Sequence, residues 1–484
     1  MGFSYADLFA GIGGFHAALR ALGGDCVFAS EIDAAAAAVY ARNWGAEMRA
    51  APGYAGEVHG DITELAPEAG AVRVPQHDVL AAGFPCQPFS KSGAQAGVRD
   101  KARGTLFFNI LRILEERAPS VVLLENVRNL AGPRHRDTWQ TIIATLREAG
   151  YKVSSAPTVF SPHLLPPGMG GTPQVRDRVF IAGVHVGPRR ALAEASDAPV
   201  VPRAPVAGWD PDRWDLNRTG LQVAGGAPLL LDESDIEARE RYLLSASEKR
   251  WVDAWDDFVR RMRRARGGLR LPGFPLWRDH WVPIEGLAIP RGTPRWKADF
   301  LRKNAQLYSD NRAVIDGWLD DWEGLADFPP SRRKLEWQAQ ETPRLWDCIL
   351  HFRPSGIRAK RPTYLPALVA ITQTSVVGPR GRRITPREAA RLQGLPDWFS
   401  FGGQSDVLTY RQLGNGVSVG VVYHVLRQLI ARNDQDVPSR IRDSVLGSGP
   451  APDLARPGAP AASSSPAPAP IAEDAAVGMP QPAA

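Results

Sequence analysis

Apolar and polar positions along the first 187 residues alternate between two periods. Short β-branched and apolar runs at 6–9, 27–30, 78–82, 121–125 and 178–184 have the length and composition of buried strands. Between them, 14–22, 105–117 and 137–149 carry the 3.6-residue pattern of amphipathic helices, the last ending at Gly150, where a left-handed C-cap is expected. Strands that alternate with helices in this way predict βαβ units and a mostly parallel, doubly wound α/β sheet.

The alternation is lost from 188 to about 397, a stretch that holds 11 of the 14 tryptophans. One helix stands out there, LSASEKRWVDAWDDFVRRMRRARGG, with Ser245 or Ser247 as N-cap, Trp251, Trp255, Phe258 and Met262 on one face, and Gly267 as its stop. Helix and loop patterning returns from 391 to 433. The domain expectation is therefore a first body at 1–187 completed by about 405–435 and a smaller second body at 188–404. A Pro/Ala/Ser-rich tail at 444–484 is too poor in apolar residues to bury a core and is expected to be disordered.

The 484-residue chain is 44% hydrophobic and 23% charged, an ordinary globular composition. No run approaches the roughly 20 apolar residues of a bilayer span, and the N-terminus has no basic stretch ahead of an apolar one, so membrane and secretory readings fall away. The three cysteines, Cys26, Cys86 and Cys348, lack CxxC spacing, which argues against a disulfide framework or a cysteine-built metal site and for a reducing cytoplasm. A formal charge of +6 leans toward a polyanionic partner. Between Phe258 and Lys303, twelve Lys/Arg face three acids (Asp279, Glu285 and Asp299), with Trp277, Trp281 and Trp296 interleaved. That stretch reads either as a solvated face or as a nucleic-acid surface carried by Arg260, Arg263 and Arg264.

Four constellations carry candidate chemistry. Asp7-Leu8-Phe9-Ala10-Gly11-Ile12-Gly13-Gly14-Phe15 lies where a first strand turns into a first helix, so its glycines let a ligand approach backbone and helix N-terminus. Glu31, ending the next strand, is placed to hold a ribose diol, and the two together favour a nucleoside-bearing cofactor. Gly60-Asp61-Ile62 reads equally as an adenine contact or as a capped turn. Cys86, in Gly83-Phe84-Pro85-Cys86-Gln87-Pro88-Phe89-Ser90, follows a strand and sits between two prolines, a position and rigidity suited to a nucleophile; inert burial is the expectation for Cys26 and Cys348. Glu125, in Glu125-Asn126-Val127, follows an apolar strand, where a carboxylate needs a partner or a task. Arg176 and Arg178, in Gln174-Val175-Arg176-Asp177-Arg178, stand at alternate positions from which they could clamp one anion together, or one of them could form a structural ion pair.

These segments, in this order, closely resemble the DNA (cytosine-5)-methyltransferases of bacterial restriction-modification systems. DLFAGIGGF, GFPCQPFS, ENV, QVRDR, RRITPREAARLQGLP and Gln412-Leu413-Gly414-Asn415-Gly416-Val417 look like the family's ordered blocks, and the likeness covers about 5–186 and 362–430. The resemblance implies an S-adenosylmethionine-dependent methyltransferase fold with a smaller target-recognition domain in 188–404. It implies that Phe9, Gly11, Gly13, Gly14, Glu31, Asp61, Ile62 and Asn415 contact the cofactor. Cys86 matches the nucleophile, Glu125 the acid that engages the cytosine ring, and Arg176 and Arg178 a pair supporting the flipped base and its backbone. Arg387 and Glu388 match a block that organises the recognition domain. The partner implied is double-stranded DNA, bound by a monomer, with a cognate endonuclease acting on the same site and no metal required.

The chemistry fits the resemblance. Cytosine C5 is a poor nucleophile until a thiolate adds to C6, and an acid at N3 stabilises the charge that develops. A stacked base cannot reach that thiolate, so it must be flipped out of the duplex. The 87–103 loop, with Ser90, Lys91, Arg99, Lys101 and Arg103, reads as a DNA-closing segment, and Ser90 and Arg99 as DNA contacts. A tRNA cytosine-5 methyltransferase would share the catalytic set, but the long, basic, tryptophan-rich insertion favours a duplex substrate. A silent DNA-binding regulator gives no reason to hold both Cys86 and Glu125, and a nicotinamide oxidoreductase none for Pro-Cys-Gln-Pro.

Overall fold

Five of the apolar runs become neighbouring strands of one sheet in the computed structural model, which describes residues 2–50, 56–85, 105–368 and 374–456. The strands are β1 (Phe3–Leu8), β2 (Gly24–Ser30), β3 (Val58–His59), β4 (Val79–Gly83), β5 (Val121–Val127), β6 (Tyr151–Val153), β7 (Thr158–Phe160), β8 (Gln174–Val175) and β9 (Arg178–His185). Their order is β3-β2-β1-β4-β5-β9-β6, with β7 also on β9; β8 lies outside this sheet. The block from β3 to β5 is parallel. Its strands serve two cores at period two: Val121 and Leu123 of β5 enter one, Val122 and Leu124 the other. Gly14–Ala21, Ala34–Ala50 and Val419–Arg432 supply apolar side chains to the first core, and Leu106–Arg117 and Arg136–Glu148 to the second. Ala34–Ala50 escapes the sequence pattern because its alanine-rich start offers little contrast between faces.

β9 departs from the parallel expectation, since it runs antiparallel to β5, β6 and β7. An apolar run encodes burial but not direction. Chain order reverses between β1 and β4, and open α/β sheets bind ligands beyond the carboxyl ends of their strands at such a point.

The second sheet is built from β10 (Leu276–Trp277), β11 (Lys334–Gln338), β12 (Ile349–Arg353), β13 (Gly356–Lys360), β15 (Val376–Val377) and β16 (Arg382–Arg383), in the order β10-β11-β13-β12-β15-β16, while β14 (Leu365–Pro366) pairs with β8. Ser245 caps the helix Ala246–Ala265 in a capping box with Glu248, and left-handed glycines 267 and 268 follow it. Trp255, Phe258, Trp281, Trp318 and Trp337 fill the core between this helix and the sheet, so much of the tryptophan enrichment is packing. This core runs from Leu244 to Val376. Trp214, Leu216, Leu221, Leu229 and Leu230 join the first core instead, so the change of pattern at 188 is not a change of core.

Arg382 and Glu388, both fully buried, join β16 to the helix Pro386–Gln393. The guanidinium donates at 2.9 and 2.8 Å to the two carboxylate oxygens and at 2.9 Å to Glu233, while Glu388 also accepts from the N–H groups of Leu231 and Thr385. Every oxygen is satisfied, the condition under which a buried ion pair is tolerated.

The tail expectation needs correction at its start. Residues 439–447 form a helix whose Ile441 and Val445 are fully buried, Ser444 Oγ donates to the Leu22 carbonyl at 2.7 Å, and Trp398 Nε1 donates to the Leu454 carbonyl at 2.8 Å. Two apolar anchors within the tail, Val445 and Leu454, escape a composition average but suffice, with Ile441 just before it, to dock its start. The remainder, from 457, lies outside the described residues. Truncation after Asp443 removes the burial of Val445 and Leu454, about 1.5–3 kcal/mol each, and should lower the thermal unfolding temperature, whereas truncation after Arg456 should leave it unchanged; a scanning fluorimetry series over both endpoints tests this.

Candidate functional site

At the carboxyl end of β1 the chain makes three left-handed steps, at Phe9 (φ 55°), Gly11 (φ 55°) and Gly13 (φ 92°), before the first helix begins. Gly13 and Gly14 answer to close packing, while Gly11 faces open space. A Cβ on Gly13 would lie 2.2 Å from Trp44 Nε1, and one on Gly14 would lie 2.7 Å from a Val417 methyl. Glu31 holds the turn from the neighbouring strand, its two oxygens accepting from the N–H groups of Gly11 and Asp33, both at 2.8 Å. Each of those oxygens keeps a second lone pair for a hydroxyl.

Beyond this turn lies a cavity of about 440 Å³, in the range of small-molecule sites. Phe9, Gly11, Gly14, Glu31 and Asn415 line it, as do Glu125 and Arg178. Gly13, Asp61, Ile62 and Arg176 do not. Gly13 faces Trp44, Asp61 caps the short helix Ile62–Leu65 by accepting from the Thr63 N–H at 2.8 Å, and Ile62 packs into the second core. Asp33 and Arg411, which the sequence did not single out, pair across the rim at 2.9 Å although 378 positions separate them.

Gly83, Phe84 and Pro85 lead into the same cavity from β4. Cys86, Ser90 and Arg99 lie outside the described residues. The approach to Cys86 is held by Asn126, whose side-chain amide donates to the Phe84 carbonyl at 2.8 Å. Its neighbour Glu125 is 7% exposed, with Arg178 Nε 3.0 Å from its carboxylate. Burial pushes the Glu125 pKa above its ordinary value of 4.5, against the opposing pull of Arg178 and then Arg176. The net effect favours the neutral carboxyl more than exposure to water would.

Of the two arginines only Arg178 lines the cavity. Arg176, 1% exposed, donates to the carbonyls of Leu368 at 2.9 Å, Gly414 at 2.8 Å and Gly416 at 2.6 Å, behind the cavity wall. The chain leaves β8 at Val175 and enters β9 only at Arg178, so the strand alternation that would align the pair is interrupted between them. Arg387 likewise donates to backbone, at Pro396 and Phe399, 3.1 and 2.7 Å away.

The arginine-rich helix is less free than its charge run suggested. Arg260 lies 3.2 Å from Asp256, one helical turn back, and 3.5 Å from Asp257, and Arg263 lies 3.9 Å from Glu341. Arg264 is exposed and pairs with no acid among the described residues. Of the interleaved tryptophans, Trp281 is in the core and Trp296 is 61% exposed.

The sequence profile of the C-5 cytosine-specific DNA methylases matches residues 3–209 and 247–431. Among curated proteins, the type II methyltransferase M.AluI of Cellulosimicrobium cellulans is 49% identical over 89% of this chain and 92% of its own length. The type II methyltransferase M.BanI of Aneurinibacillus aneurinilyticus is 31% identical over 90% and 97%, and M.NlaX of Neisseria lactamica 29% over 89% and 96%.

Burial raises the thiols of both Cys26, to about 12, and Cys348, so neither is a thiolate at neutral pH. With Cys86→Ser, the folded protein should take up no iodoacetamide and the denatured protein two equivalents, as read by intact mass.

Proposed function

The chain belongs to the C-5 cytosine-specific DNA methylases, and on that premise we propose which cofactor it uses, which residues perform the methyl transfer, and where it acts. As a DNA (cytosine-5)-methyltransferase it places a methyl group on C5 of cytosine in DNA. The observation that carries the assignment of parts is one cavity lined by the glycine turn, Glu31, Glu125 and Arg178 and reached by the segment that ends at Pro85.

The cofactor is S-adenosylmethionine, which when bound supplies a sulfonium methyl group. The fit is one of size and donor set: a cavity of about 440 Å³ with a carboxylate at Glu31 for a ribose diol and an open Gly11 at the turn. Phe9, Gly14 and Asn415 contribute wall, while Gly13, Asp61 and Ile62 act by holding the neighbouring turns.

Catalysis runs through this chain's own residues. The Cys86 thiolate bonds to C6 of a cytosine flipped out of duplex DNA, and the C5–C6 electron pair is drawn into the ring toward N3. Glu125 shares its proton at N3, and Arg178 holds that carboxyl in place from 3.0 Å. C5, now enamine-like, takes the methyl group. The C5 proton then leaves to water, the Cys86–C6 bond breaks, and the double bond reforms. Arg176 positions the wall behind the reacting base.

The duplex is held in part by Ser90 and Arg99, with Arg264 exposed and unpaired by any acid among the described residues, and Arg260 and Arg263 reaching DNA only by giving up their acids. The type II naming of the relatives supports a role as the modification arm of a restriction-modification system. In that role the enzyme acts as a monomer beside the nucleoid in the cytoplasm and shares its site with a cognate endonuclease.

Duplex DNA containing 5-fluorocytosine should form a denaturant-resistant adduct with the parent protein and none with Cys86→Ser; an adduct that survives the substitution would sink the assignment. Glu125→Gln should lower kcat by about 100-fold or more. Because burial raises the Glu125 pKa, its protonated form persists above pH 4.5 and kcat falls as pH rises through that raised pKa, a limb absent from the residual activity of Glu125→Gln.

A further inference from the structure

The second sheet gives one face to its core and turns the other away. Along β12 and β13, Leu350, Phe352, Ile357 and Ala359 fill the core, so the two-residue strand period gathers His351, Arg353, Arg358 and Lys360 on the opposite face, with His351 directly across from Arg358. These four line a second cavity of about 190 Å³, closed on its other side by Leu368, Ser375 and Tyr410.

Its charge is one-sided. Glu336 of β11 pairs with Arg358 at 2.6 Å and reaches Arg353 at 3.7 Å. Lys360 is half-buried and meets no acceptor among the described residues; burial, then Arg358 and Arg353, hold its pKa below the usual lysine value. His351 contacts the Ser375 hydroxyl at 3.2 Å and is kept neutral by the same burial and cations. A desolvated ammonium without a partner costs free energy that an acceptor-rich ligand would recover.

The place of this cavity names the ligand. It stands back to back with the larger one, and Arg176 is the partition. That guanidinium donates on one side to the carbonyl of Leu368, in the wall of the basic cavity, and on the other to Gly414 and Gly416, in the wall of the larger. Tyr410 lines the first, and the next two residues, Arg411 and Gln412, line the second. A cytosine flipped into the larger cavity would therefore be separated from the basic one only by the wall that Arg176 bonds together.

We propose that the basic cavity of the second sheet, rather than the arginine-rich helix, receives the DNA adjoining the flipped cytosine, and that Lys360 donates there to an acceptor of that DNA. The acceptor is a phosphate oxygen or the N7/O6 edge of a guanine, the two groups a single ammonium serves on a duplex. The inference rests on a flipped cytosine occupying the larger cavity.

The test is equilibrium binding of the full-length protein to a short duplex carrying the sequence it methylates and to one with the flanks of that cytosine scrambled, over a range of salt. Lys360→Met should weaken binding to the methylated sequence by about tenfold or more, with S-adenosylmethionine binding by calorimetry and the unfolding temperature unchanged, and Lys360→Arg should restore most of it. An equal loss on both duplexes, with the salt slope reduced by about 1, identifies a phosphate. A loss confined to the methylated sequence, with bisulfite sequencing showing one position of the site relaxed, identifies a guanine edge. Unchanged affinity, salt slope and site in Lys360→Met overturns the proposal, as does a variant that loses folding or cofactor binding and is not rescued by Lys360→Arg. Failure of the parent protein to trap 5-fluorocytosine would instead strike the preceding reading, and it would do so while these binding measurements stand.

Discussion

A buried guanidinium joins the parts of this protein that have to meet. Arg176 carries a positive charge out of water, which costs several kcal/mol unless its protons are bonded; three backbone carbonyls accept from its two terminal nitrogens, while its buried Nε meets no acceptor among the described residues. One belongs to Leu368, just after the strand β14, and two belong to the turn at Gly414 and Gly416 that precedes the last long helix of the first core. Burial and the neighbouring Arg178 push its pKa down to about 9, which leaves it charged at neutral pH. Carbonyls rather than a carboxylate satisfy it, so its charge is not cancelled and acts on what lies nearby. Glu125 lies within reach of that field.

The state of Glu125 follows from a balance. Burial favours the protonated carboxyl, and two arginines pull the other way, one in contact and one behind the wall. A group held between these influences can share a proton with a ring nitrogen without a large change in its own solvation, the condition for effective general acid catalysis. The same arrangement explains why the arginines diverge: a second guanidinium on the same carboxylate would hold it fully ionised.

The two bodies divide the labour along physical lines. The parallel sheet buries both faces, so its chemistry gathers at strand ends, where Glu31, Gly83 and Glu125 leave the core. The second sheet packs one face on a tryptophan-rich core and keeps the other polar, which puts its chemistry along the strands, at His351, Arg353, Arg358 and Lys360. Between them, the fully bonded Arg382–Glu388 pair and the partition at Arg176 set one against the other.

Much of this was legible along the chain. Strands, first-turn glycines and both candidate acids are local patterns, each set by a few neighbouring residues, and six ordered blocks sufficed to indicate the family. The charge run on the helix Ala246–Ala265 overstated its free charge because Asp256 and Asp257, just ahead of the counted stretch, pair with Arg260 from one turn away. The tail misled because Val445 and Leu454 are too sparse to move a composition average. The direction of β9, the separate fates of Arg176 and Arg178, the Asp33–Arg411 rim pair and the gathering of cations on β12 and β13 were decided only by tertiary structure. Those features depend on which distant segments share a wall, and residues 378 positions apart become neighbours only when the whole chain has closed.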